Sequence, residues 1–444
     1  MGEINIMKKE INLGVVCLGR KTFDYEAAED IFEDIKKDLK DIDQVNYTII
    51  EDLVIEVEDA QEAAKKISSE NVDALIVISG TFHLGHLVLE LDKVVDQPIL
   101  LWGLNELPYN GGKIRLNSVC GVNLNSSNLY KSGNRKYHVN IGDKVDEDWI
   151  DAIRIKSALK NAKIGIIGYR AKGFFNLSFD ELRAFEETGA LIDHYELKEL
   201  WEFEVEDSDV ADKREQLKQV FDIDDISSEQ LDKVASLSAK LQNFVDSKGL
   251  SALAIRCWPE FADNFGISPC AAMSLLQSED YILGCEGDVE GTMSMLAHQA
   301  VGAETPFLAD LSQVDLEEDY ALLWHCGVAP CNLWDGKCNI SLDSYFAGGR
   351  GVTADFVMKS DEFSILRFDS AQGDYRVFLQ KGEGIPMEKD LKGTYFKGRF
   401  EKNINDVLDT VVNNGIAHHI SVVYGDYTEP FKIFADIKKW EVIE

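Results

Sequence analysis

The residues best suited to chemistry lie in Leu283-Gly284-Cys285-Glu286-Gly287-Asp288-Val289-Glu290 and, past one apolar segment, in Pro306-Phe307-Leu308-Ala309-Asp310. Glu286 and Asp310 each follow a short hydrophobic run, where a strand is expected to stop. Two carboxylates at the carboxyl ends of neighbouring strands can face one cavity, which suits a divalent cation or a proton-transfer pair. His325, ending the run 320–324, and the pair His418/His419, entering a strand after a turn at Gly415, add imidazoles. Mixed carboxylate and imidazole ligands suit Mn²⁺, Co²⁺ or Fe²⁺, whereas thiolates would favour zinc. No local spacing ties these residues together, so scattered acidic residues and a core histidine are the plain alternative.

Strands and helices must position these side chains. The segment 1–161 alternates short apolar runs with amphipathic ones, the pattern of a parallel sheet covered on both faces. Strands are expected at 12–18, 47–50, 74–79 and 98–102, and helices at 25–39, 60–67 and 84–91. Ligands of such sheets collect at the strand carboxyl ends. There the chain carries Gly19-Arg20-Lys21, Thr81-Phe82-His83 and Trp102-Gly103-Leu104-Asn105. A cation, aromatic faces and hydrogen-bonding side chains are what a sugar ring requires. Taken singly, each reads first as a packing or turn residue.

A second αβ unit is expected over 162–312, with strands at 163–168, 191–195, 251–257 and 281–284. Ser178 is the expected cap of one helix, and further helices are expected at 268–277 and 292–299. Arg256-Cys257-Trp258-Pro259-Glu260 offers Trp258 and Glu260 as sugar contacts. From 313 to 444 the runs at 356–359, 363–368, 375–381 and 393–399, broken by Asp/Gly turns, predict a mainly antiparallel sheet or barrel. A helix at 406–412 precedes Asn414, a further sugar-contact candidate, and the histidine strand. The expected fold class is therefore α/β: two consecutive parallel-sheet αβα (Rossmann-like) domains, 1–161 and 162–312, then a mainly antiparallel β-barrel-like domain, 313–444.

The bulk properties narrow the partners. The 444 residues are 45% apolar, with a mean hydropathy of −0.16, as in ordinary globular proteins. A formal net charge of −34 disfavours nucleic acid and anionic membranes. No signal peptide or membrane span is legible. The eight cysteines are scattered without Cys-x-x-Cys, which points to reduced thiols in a cytoplasmic protein. Gly165, Gly168 and Gly173 lack the Gly-x-Gly-x-x-Gly spacing of a dinucleotide site, and Gly348-Gly349-Arg350-Gly351 lacks the Lys-Ser/Thr of a phosphate loop, so it reads as a turn.

Cys285-Glu286-Gly287-Asp288, then Met293-Ser294-Met295-Leu296, then Phe307-Leu308-Ala309-Asp310 resemble the core of the L-fucose isomerase family, a relative of the L-arabinose isomerases. The separation of 24 residues between Glu286 and Asp310 is the family's. Asn117-Ser118-Val119-Cys120-Gly121-Val122-Asn123-Leu124 and Leu101-Trp102-Gly103-Leu104-Asn105 resemble its N-terminal half, and residues 415–419 its histidine motif. The chain is shorter than the well-known fucose isomerases, which suggests a compact branch.

The resemblance implies a metal-dependent aldose–ketose isomerase working through an ene-diol on a deoxy-hexose or pentose (an L-fucose, D-arabinose or L-arabinose type of sugar). A sulfo- or phospho-sugar isomerase, or a non-catalytic sugar-binding relative, is the alternative. It further implies Mn²⁺ (or Co²⁺, Fe²⁺, Mg²⁺) on Glu286, Asp310 and one of His418 and His419, with His325 matching an extra histidine ligand of the arabinose enzymes. Glu286 and Asp310 would carry the proton transfer. Arg20 matches a substrate-binding Arg, and Phe82, with His83 beside it, matches an aromatic lent by a neighbouring subunit. The family's homotrimers or homohexamers place pockets at subunit borders.

Overall fold

Ile11–Leu18 (β1) and Ala74–Ser79 (β3) are continuous apolar runs with side chains buried on both faces, as the central strands of a parallel sheet must be. The structure is a computed structural model and describes residues 7–346 and 349–444. With Val45–Ile49 (β2), Ile99–Gly103 (β4) and Tyr137–Ile141 (β5), they form a parallel sheet in the order β2-β1-β3-β4-β5. The helix Tyr25–Leu39 starts at Asp24, whose side chain accepts from Ala27 N, and buries Ala28, Phe32, Ile35 and Leu39 along one stripe. This sheet and its helices, with residues 429–439 returning from the chain end, make one compact unit (7–157 and 429–439).

Residues 158–428 and 440–444 make the other unit. Lys163–Ile167 (β6), Leu191–Tyr195 (β7), Ala252–Ile255 (β8) and Leu283–Gly284 (β9) pair in parallel in the order β7-β6-β8-β9. The second sheet of this unit is mostly antiparallel. Its strands are Phe307–Asp315 (β10), Tyr320–His325 (β11), Ser341–Phe346 (β12), Gly351–Val357 (β13), Glu362–Ala371 (β14), Asp374–Ile385 (β15), Thr394–Phe400 (β16), His419–Tyr424 (β17) and Glu441–Ile443 (β18). They run in the order β12-β13-β16-β11-β10-β17-β14-β15-β18, and an added β15–β16 pairing closes six of them into a ring. The expected mainly antiparallel sheet is present, and the ring is as far as its closure goes. Gln372 and Gly373, both at positive φ, make the two-residue turn between β14 and β15.

The helix Val289–Ala300 buries every residue except Gln299. A helix that is buried all round belongs to a core, and this one packs on β8 and β9 as well as on β10, β14 and β17. One helix thus gives the two sheets a common core, and the residues on both sides of 312/313 fall in one unit.

Two local expectations need correction. Asp310 does not end a strand: β10 continues to Asp315, because β11 pairs with it from Asp310 to Asp315 after the β17 pairing stops at Asp310. Glu286 and Asp310 therefore follow and occupy strands of two different sheets, not neighbours of one. Ser178 is not a helix cap, since Phe175–Leu177 is a 3₁₀ turn and the helix Glu181–Thr188 is capped by Asp180 accepting from Arg183 N. The expected turn at Gly348 begins outside the described residues; Gly351 already opens β13.

Candidate active site

Glu286 sits two residues beyond β9 at φ +61°, a backbone conformation sparsely used by non-glycine residues. Its carbonyl accepts from Ala171 N at 2.9 Å, and the next residue's N–H, on Gly287, donates to Ile255 O at 3.0 Å. A Cβ on Gly287 would lie 2.4 Å from the Tyr169 carbonyl, so only glycine lets the Tyr169–Ala171 loop close over this turn. The carboxylate is thereby fixed: Oε1 accepts from Trp258 Nε1 at 3.4 Å, and Oε2 lies 3.2 Å from His418 Nε2 and 3.5 Å from His419 Nε2. Burial alone would raise the Glu286 carboxyl, but the His418 bond and the surrounding histidines hold it below its ordinary value.

Asp310 and His419 are register partners across β10 and β17, so their side chains leave the same face of the sheet. Asp310 Oδ1 lies 3.7 Å from His419 Nε2, and both atoms are buried without a hydrogen-bond partner. One ligand atom each from Glu286, His418 and His419 falls within 4.8 Å of the others, and the same holds for Asp310, His325 and His419. His419 is common to both groups, which makes it the hub of the site.

His419 is held from behind. Its Nδ1 lies 3.0 Å from Asp288 Oδ2, and the same oxygen pairs with Arg367 Nη1. Asp288 also caps the helix Val289–Ala300 through Gly291 N. Asp288 and Arg367 are fully buried. Burial would raise the Asp288 carboxyl, yet the Arg367 charge and the His419 bond hold it far below the carboxylate range. For His419 burial acts downward, but the bond to Asp288 and the charges of Asp288, Asp310 and Glu286 outweigh it and raise the imidazole above its ordinary value.

His418 is wired differently. Asn176 Nδ2 lies 2.9 Å from its Nδ1, and its Nε2 reaches Glu286. Phe174 packs on both His418 and Trp258, giving the site an aromatic wall. His325, at the end of β11, is buried against His419, and burial lowers it below the ordinary histidine value. Below the site lie two thiol contacts, Cys257–Cys285 at 3.3 Å and Cys270–Cys326 at 3.6 Å between sulfurs. All eight cysteines are free. Thiol pairing and burial push Cys285 and Cys326 well above the ordinary value.

Of the residues singled out from sequence, Glu286, Asp310, His325, His418, His419 and Trp258 come together here. Glu260 is paired with Arg256 in the same segment, with Oε2 buried and unpartnered. Asn414 is exposed in the last turn of the helix Ile404–Asn414, its side chain on Thr410 O. In the other unit, Arg20 and Phe82 sit half-buried at strand ends, with Phe82 edge-on to Phe23. His83 and Trp102 correct their expectation as sugar contacts: both are fully buried. His83 Nε2 is engaged by Ser79 and Asn125, and the Trp102 indole donates to the Gly142 carbonyl. Phe174, Asn176, Asp288 and Arg367 were not singled out. Asp288 carried a legible signal as a helix-capping acid, and Arg367 as a lone charge inside the apolar run 363–368.

The family model described as fucose/sulfoquinovose isomerase, N-terminal domain, matches residues 14–154. A sulfoquinovose isomerase of Priestia aryabhattai is 29% identical over 427 residues, spanning 93% of this chain and 94% of its own. One from Alkalicoccus urumqiensis is 25% identical, covering 96% and 98%, and one from Clostridium sp. (strain MSTE9) is 24% identical, covering 97% and 98%. These relatives span the acidic turn and the histidine strand as well as the N-terminal unit. Residues 14–154 are thus similar to the fucose/sulfoquinovose isomerase N-terminal domain, and almost the whole chain is similar to sulfoquinovose isomerases.

Proposed function

We propose that this chain is an aldose–ketose isomerase of a sulfonated sugar, of which sulfoquinovose is the instance named for its relatives, and that it works with a divalent cation. The observation that carries the reading is His419 Nε2, buried and unpartnered between Glu286 and Asp310. The deoxy-hexose and pentose substrates expected from sequence are less well supported, because each relative reported above is named for sulfoquinovose.

The residues fit a cation. Two carboxylates and an imidazole are a donor set for Mn²⁺ or a similar ion, and of their atoms Asp310 Oδ1 and His419 Nε2 are buried without a partner. Glu286, Asp310 and His419 would hold it, with Asp288 fixing the His419 ring through Nδ1. When bound, the cation would supply Lewis-acid polarisation at the sugar's O1 and O2.

The chain's own residues account for the remaining chemistry. The ene-diol route moves one proton between C2 and C1, and the carboxylate pair Glu286/Asp310 is placed to carry it. Trp258 and His418 orient Glu286 by hydrogen bonds from two sides. Trp258, 37% exposed, and Phe174 offer aromatic faces to the sugar ring and limit the access of water.

A panel of sulfoquinovose, L-fucose, L-arabinose and a phosphorylated aldose, each with Mn²⁺, tests the reading by ketose appearance. Sulfoquinovose is expected to show the highest kcat/KM. Preferred turnover of an unsulfonated sugar would contradict the substrate class, and binding without any ketose would contradict catalysis.

A further inference from the structure

His325 and His419 lie ring against ring, with centroids 5.6 Å apart and planes at 27°. Their nitrogens are nevertheless wired in opposite senses. A neutral imidazole has one N–H and one lone pair. His419 Nδ1 faces the Asp288 carboxylate, which only accepts, so the proton sits on Nδ1 and Nε2 can offer its lone pair. His325 Nδ1 instead accepts the backbone N–H of Cys326 at 2.8 Å. Its lone pair is used there, and the proton must sit on Nε2.

That Nε2–H is buried, on a residue 3% exposed, and has no hydrogen-bond partner. Buried donors are rarely left unfilled. Asp310 Oδ1 is equally unpartnered, and Asp310, His325 and His419 bring their polar atoms into one group no more than 4.8 Å across. A buried donor left unfilled beside the residues that would hold the cation is complementary to an oxygen that accepts from it.

We propose that His325 is not a ligand of the cation but a hydrogen-bond donor, whose Nε2–H binds an oxygen on the reacting carbons of the sugar. The identity of that oxygen rests on the isomerase reading; the tautomer does not. A neutral imidazole that keeps its proton stabilises negative charge gathering on such an oxygen as the ene-diol forms. No proton leaves His325. The proton that moves between C2 and C1 belongs to the Glu286/Asp310 pair.

The test separates donor from ligand without sugar. In protein labelled with ¹⁵N-histidine, the His325 ring is expected to show a protonated Nε2 both without a cation and with Mg²⁺. A bare Nε2 in the presence of Mg²⁺ would overturn the proposal. Mn²⁺ affinity, measured by titration calorimetry, is expected to stay within a few-fold of wild type in His325→Leu and His325→Gln. In His419→Gln it should fall by more than the 10- to 100-fold typical of losing an outer hydrogen-bond partner. Equal losses at the two positions would also overturn it. With sulfoquinovose, His325→Leu should lose about 10²- to 10³-fold in kcat, as expected for removing one oxyanion donor. His325→Gln, which keeps an N–H, should recover much of that loss. If no sugar is turned over, the isomerase reading fails while the tautomer and affinity results still decide the role of His325.

Discussion

Asp310 and His419 stand directly opposite each other on β10 and β17, with Oδ1 and Nε2 3.7 Å apart. A one-residue slip of either strand would turn its side chain to the other face, so the register that builds the sheet also builds the site. Asp310→Asn preserves shape while removing charge, as Glu286→Gln does on the facing turn. Each is expected to lower ketose formation by at least the 10²- to 10⁴-fold of a positioned acid–base group. Circular dichroism should show the fold retained, and wild-type turnover in either variant would contradict the assignment.

The two adjacent histidines are expected to separate cleanly. His418 hydrogen-bonds Glu286 and is held by Asn176, so His418→Leu should cost about 10- to 100-fold in activity, as losing an orienting partner does. Its Mn²⁺ affinity should stay within a few-fold of wild type. The reverse ranking of His418 and His419 variants in a Mn²⁺ titration would make His418 the ligand.

Asp288→Asn combines two effects. It weakens the hold on His419, for which a 10- to 100-fold loss in Mn²⁺ affinity is expected. It also takes from Arg367 its closest carboxylate, leaving Asp369 and Glu290 at 3.6 and 3.9 Å, at a cost of up to about 3–5 kcal/mol. Denaturant unfolding of the metal-free protein reads the second effect alone. A variant as stable as wild type would show that the buried pair does not support the helix and β14.

Glu290 gives the pH dependence. Burial, against the opposing charge of Arg367, raises its carboxyl from 4.5 to about 7. The folded state therefore holds this proton more tightly than the unfolded chain does. Its contribution to stability is fully present below pH 4.5 and is lost as pH rises through about 7. Glu290→Gln has no charge to bury. It should gain on wild type in melting temperature between pH 5 and 8, by at most about 3 kcal/mol in free energy. A constant difference across that range would contradict the shift.

Most strands could be read from the chain because buried parallel strands are apolar runs, as at 74–79, whose observed span matches; the half-exposed edge strand 191–195 also matches its span. Glu286 and Asp310 stood out as acids flanked by such runs. Their placement was less legible. An apolar run shows that a strand exists, not where its neighbours let it end, and β10 runs on because β11 extends its ladder to Asp315. His83 and Trp102 looked like ligand residues because strand ends often bind ligands, but hydrogen bonds across the unit bury both. Asp288 and Arg367, 79 residues apart, meet only through the fold. The choice between His418 and His419 rested on the same kind of contact, since only Asp288 and Asn176 distinguish the two rings.

The most direct measurement follows sulfoquinovose by NMR in D₂O, with metal-free protein reconstituted with Mn²⁺ at known stoichiometry and the sugars analysed after the cation is removed. One Mn²⁺ per chain, ketose formation that rises in step with occupancy, and no ketose from His419→Gln are the predicted results. Equal ketose formation by the metal-free protein, or by the His419→Gln variant, would contradict a cation site built on Glu286, Asp310 and His419.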